Sequence, residues 1–228
     1  MELYSWILQN REIIKIIYAL IIVLICATIT LKSHKMFKLS LYQGIRYFRN
    51  AFFFYGIAFA VRYLFGSYLF HFSKTYSIVI EVLFSFFFIM AGFFLLYSLL
   101  WKKIESPHRI NHSSLFNFRI LLFYLMAFTI VILDLVWSTL YFLFFSQIFV
   151  FLFAFAISFS NYKSKGRNRK FLKFYTLAMF IALIAWILNA LIEKVFNWNP
   201  NIHILTYLFN IFMFLLFLFG IIYLSKKN

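Results

Sequence analysis

Seven uninterrupted apolar runs divide the chain, at about 13–31, 50–71, 77–100, 116–136, 139–160, 171–193 and 202–224. Each holds ~20 residues or slightly more, which is enough to cross a ~30 Å hydrocarbon layer with some tilt. The runs show no period-two alternation, and backbone groups in lipid must pair internally, so they predict helices rather than barrel strands. The stretch 118–160 is nearly continuous and far too long for one span. Its one polar interruption is Asp134-Leu-Val-Trp-Ser-Thr139, where a turn is expected. The pattern predicts an all-α polytopic integral membrane protein, a single domain of seven transmembrane helices.

Composition agrees with this class. The chain has 228 residues, is 65% hydrophobic and only 12% charged, and has a mean hydropathy of +0.91. Soluble domains keep roughly 25% charged residues. No loop is large enough for a folded soluble domain. The longest, about 101–115, has no glycine-rich phosphate loop, cysteine pair or kinase-like output module.

The basic residues predict the orientation. With the N-terminus outside, the inward loops and tail hold Lys32, Lys35, Lys38, Arg46 and Arg49, then Lys102, Lys103, Arg109 and Arg119. They also hold Lys163, Lys165, Arg167, Arg169, Lys170 and Lys173, and finally Lys226 and Lys227. These are 17 of the 22 lysines and arginines, against four on the outer side and Arg62 within the membrane. The positive-inside rule then places the C-terminus in the cytoplasm of a multi-pass cell-membrane protein. The same distribution accounts for the +16 net charge. It implies contact with anionic inner-leaflet lipids, at ~1 kcal/mol per basic residue near the surface, and no role in nucleic-acid binding.

The flanks are short. Tyr4 and Trp6 suit an interfacial helix, and Glu2, Glu12 and the lack of a small-x-small site argue against a cleaved signal peptide. Residues 35–48 mix cations with Phe37, Leu39, Leu41 and Ile45 and read as an interfacial approach to the second span. Cys26 is the only cysteine and forms no internal disulfide.

Candidate chemistry must come from polar residues inside the spans. Arg62 lies about twelve residues into the second run. A guanidinium keeps its charge, and at mid-bilayer it costs at least ~2.5–3.5 kcal/mol. Glu81, Asp134 and Glu193 all fall toward the outer ends of spans three, four and six. Ser85 sits one turn below Glu81, and Gln147 two turns down span five. Trp186, Asn189 and Glu193 share one helical face, as do His203, Thr206, Tyr207 and Asn210 on the seventh span. Spans two and three form a hairpin that brings Arg62 within reach of Glu81, or of Asp134 if the fourth span is its neighbour. These residues are the candidates for an outward-facing ligand or ion site.

No catalytic residue, metal or cofactor is assigned. His108 and His112 have a metal-binding spacing but lack the glutamate of a zinc-protease helix. Ser85, His203 and Asp134 would form a hydrolase triad only across three spans, without a nucleophile elbow. Span count and orientation resemble those of microbial rhodopsins and of the seven-helix input modules of bacterial histidine kinases. The seventh span has no lysine, which excludes a retinal Schiff base there.

Three functional readings follow. One is a sensor or receptor-like module that binds a small ligand or lipid in an outward polar pocket and signals through a cytoplasmic or membrane protein partner. Another is a small permease, ion-coupled transporter or lipid-enzyme subunit. The third is a structural subunit of a membrane complex. The first is favoured, because Phe86–Phe88, Phe151, Phe153, Phe155 and Phe180 close the inner halves of the spans without an acidic relay. A reporter fused after Asn228 should be cytoplasmic and a tag before Met1 external. An external C-terminus would reverse the leaflet assignment.

Overall fold

The computed structural model describes residues 10–66, 73–104, 118–137, 139–164, 170–195 and 200–225. Those residues form helices α1 (Arg11–Ser40), α2 (Gln43–Phe59), α3 (Lys74–Ile104), α4 (Phe118–Trp137), α5 (Tyr141–Ser164), α6 (Lys170–Val195) and α7 (Pro200–Ser225). A π-helical segment, Ala60–Phe65, continues α2 without a break. Six of the helices, all but α2, are long and apolar enough to span a membrane. The protein is an all-helical, membrane-type bundle.

The helix ends follow from local chemistry. The long apolar stretch between 118 and 160 breaks between Trp137 and Tyr141, where the α4–α5 hairpin closes. The first helix runs on to Ser40, well past the apolar run that ends near 31. Nothing in Lys32–Ser40 breaks a helix, and the lysines can carry their charges out along its flank while Ser33 and Met36 stay buried. The interfacial segment expected at 35–48 is therefore the end of one helix and the start of the next. The reversal lies at Leu41, whose φ of 52° is left-handed and whose N–H bonds the Phe37 carbonyl at 2.8 Å.

Ring contacts show that successive helices run antiparallel. Tyr18 meets Phe59 while His34 meets Arg49 across α1 and α2. Phe54 meets Phe87 and Tyr47 meets Tyr97 across α2 and α3. Phe144 meets Trp186 and Phe155 meets Phe180 across α5 and α6. Helix α1 also packs against α7, so the bundle closes on itself.

Helix α2 is the hub. Eleven of its 17 residues are buried, too many for a lipid-facing helix. Phe52 packs edge-on against Phe214 and Phe217, Tyr55 against Phe88, and Phe59 against Phe214. Phe48 reaches Tyr175 of α6. Lipid removes most of the hydrophobic drive for helices to associate, so shape and ring geometry carry the packing. Such aromatic pairs contribute ~0.5–1.5 kcal/mol each beyond their buried area. Helix α4 is the opposite case. Only Ile120, Ala127, Val131 and Asp134 are buried, a narrow stripe against α3 and α5.

Candidate functional site

Arg62 sits in the π-helical segment at the end of α2. The wider turn closes through Gly66 N–H to the Val61 carbonyl at 3.0 Å, and the Tyr76 hydroxyl donates to the Phe65 carbonyl at 2.8 Å. Gly66 is required here, because a Cβ on it would overlap the Arg62 carbonyl oxygen. π turns inside α-helices occur frequently at functional sites.

The guanidinium lies over rings. Its central carbon is 4.3 Å from the centroid of Phe84 and 5.8 Å from that of Tyr63. Cation–π contact contributes ~0.5–1 kcal/mol when exposed and ~2 kcal/mol or more when desolvated. Among the described residues, neither Glu81 nor Asp134 pairs with it. Glu81 lies on an exposed face of α3. Asp134 is buried and engaged elsewhere. Its two carboxylate oxygens accept the N–H groups of Phe142 and Leu143 at 2.9 and 2.8 Å. It therefore caps the first turn of α5 from the last turn of α4. A carboxylate at that place satisfies orphan helix donors and lies at the positive end of the α5 dipole.

Beside Arg62 is a tyrosine cluster drawn from three helices. Tyr18 stacks on Tyr207 with centroids 4.3 Å apart, and Tyr63 meets Tyr18 edge-on at 5.5 Å. The Asn210 amide donates to the Tyr18 hydroxyl at 3.1 Å. Of the residues singled out in the sequence, the structure thus brings Arg62, Tyr207 and Asn210 to one end of the bundle. Tyr18, Tyr63 and Phe84 join them, and sequence reading missed all three. Their signal was weak, because aromatic residues make up a quarter of this chain and read as packing.

A second group lies apart, between α3, α5 and α6. Gln147 is fully buried, donates a long 3.5 Å bond to the Phe88 carbonyl, and has a side-chain oxygen without a hydrogen-bond partner. It occupies the space above Gly92, where a Cβ would come within 2.9 Å of its oxygen. Trp186 is buried against Phe88 and Phe144, at 5.0 and 5.8 Å. Ser85 is buried and Asn189 half-buried. The side chains of Glu193 and His203, and the His108–His112 motif, lie outside the described residues. Among the described residues no group of three His, Cys, Asp or Glu side chains gathers as a metal site would require.

Comparison of the chain with protein-family models, with curated proteins and with solved structures found no match. The geometry alone therefore carries the functional reading.

The capping role of Asp134 has a direct test. Asp134→Ala leaves one buried and one part-buried N–H group without its acceptor and should cost about 1–2 kcal/mol of stability in detergent unfolding. Glu81→Ala, at an exposed position, should change it by less than about 0.5 kcal/mol. Equal losses would contradict the cap.

Proposed function

We propose that the chain is a seven-helix cell-membrane protein, N-terminus outside and C-terminus cytoplasmic, that binds a small anionic ligand or lipid headgroup at its outer end. The seventh span in this reading is α2 together with its π-helical continuation. The observation that supports the site is Arg62 itself. Its permanent charge is set on a π turn against Phe84 and Tyr63, without a described carboxylate beside it, and next to Tyr18, Tyr207 and Asn210. A guanidinium flanked by hydroxyl and amide groups suits recognition of carboxylate or phosphate. Ser85, Gln147, Trp186 and Asn189 stand apart from this site, on α3, α5 and α6.

A receptor-like role is favoured over conduction by what lies beneath. Phe59, Phe88, Phe214, Tyr55 and Phe52 interlock below the tyrosine cluster. A proton or ion path would need polar groups through that layer. Signalling from such a pocket requires a cytoplasmic or membrane partner.

Thermal unfolding of the purified protein against a panel of carboxylates and phosphomonoesters tests the reading. A ligand present at about a hundred times its Kd should stabilise by ~2.7 kcal/mol. Arg62→Gln should abolish that gain, and Tyr207→Phe should reduce it. Stabilisation that survives Arg62→Gln, or a panel in which no anion stabilises, would contradict it.

A further inference from the structure

Polar side chains with unspent hydrogen-bonding capacity surround Phe88, where α3, α5 and α6 meet. Gln147 on α5 donates to the Phe88 carbonyl at 3.5 Å, at the long limit for a hydrogen bond. Its Oε1 is buried without a hydrogen-bond partner, and none of the Gln147 surface is exposed. An amide oxygen removed from water and left unpaired is costly, so a donor is called for at this place. Trp186 on α6 packs against Phe88 at 5.0 Å and against Phe144, one turn before Gln147, at 5.8 Å.

Ser85 belongs to the same set. It precedes Gly92 by two turns of α3 and so shares the stripe against which the Gln147 amide rests. Ser98, Ser146 and Ser158 each return their hydroxyl to the carbonyl three residues back. Buried Ser85 makes no hydrogen bond among the described residues. Helix α6 runs antiparallel to α3, since Trp186 meets Phe88 while Tyr175 and Tyr97 meet neighbouring residues of α2, Phe48 and Tyr47. Ser85, three residues before Phe88, and half-buried Asn189, three residues after Trp186, therefore stand at one level, about 4.5 Å beyond the Phe88–Trp186 contact.

These four side chains are neutral and offer amide, hydroxyl and indole groups. A hydroxyl ligand matches them, because it donates to Gln147 Oε1 and accepts from Ser85 through the same oxygen. The rings of Phe88, Phe144 and Trp186 suit apolar carbon attached to such a group. We infer that Gln147 and Ser85 hold a neutral hydroxyl between α3, α5 and α6, that of a water molecule or of the alcohol headgroup of an uncharged lipid. The site is separate from the Arg62 pocket and stands or falls independently of it.

The test is thermal unfolding of the full chain in lauryldimethylamine oxide, a detergent without hydroxyl groups, titrated with 1-monooleoylglycerol. The lipid should raise the melting temperature saturably in the wild type and in Thr129→Ala, a control that removes an exposed hydroxyl bonded to its own helix. Its apparent affinity should fall about tenfold in Gln147→Met and in Ser85→Ala, each of which removes one hydrogen bond to the headgroup. Ser85→Ala, the smaller change, keeps the test valid should Gln147→Met fail to fold. If the lipid has no effect, a double variant that melts no lower than the worse single would support the site with water as its occupant. Lipid stabilisation that is unchanged in both variants, or no lipid effect together with additive changes in melting temperature, would overturn it.

Discussion

Ring-on-ring packing around α2 is the interaction on which the bundle depends. Apolar helices gain little from leaving lipid for one another, so association must come from shape, and here aromatic faces and edges supply it. Phe48, Phe52, Tyr55 and Phe59 put four consecutive turns of α2 against α3, α6 and α7. The two ends of α2 stand outside this apolar column, and each carries arginine. The arginines at the two ends of this column are thus held apart by the packing between them.

At one of those ends the backbone changes form. The π turn from Ala60 to Phe65 shifts Arg62 and Tyr63 relative to an unbroken helix, and Gly66 makes the turn sterically feasible. Tyr63 then meets Tyr18 and Tyr207, and the Arg62 guanidinium meets Phe84. Rings lower the cost of holding a cation inside a membrane without cancelling its charge. A carboxylate partner would have cancelled it, which is why the identity of the neighbour matters for function.

Much of the architecture was legible in the sequence. Apolar run length marks helices α3 to α7 to within a few residues, and the polar interruption at 134–139 marks the α4–α5 hairpin because Asp134 is its cap. The end of α1 was not legible, since hydropathy stops where lysines begin while helix propensity does not. The surroundings of Arg62 were illegible for a different reason. Charge pairing is the natural expectation for a buried cation, but Glu81 turns to an exposed face and Asp134 is spent on backbone donors. Tyr18 and Tyr63 were hidden by the abundance of aromatic residues around them. Which rings meet depends on a π turn that no periodicity announces.

A polar end that opens outward and is closed beneath by rings should show different accessibility at two positions one helical turn apart on α7. In a Cys26→Ala background, Asn210→Cys should react in intact cells with a membrane-impermeant methanethiosulfonate applied from outside, while Phe214→Cys should not. Reaction of Phe214→Cys from outside, or reaction of Asn210→Cys only from the cytoplasmic side, would contradict the account.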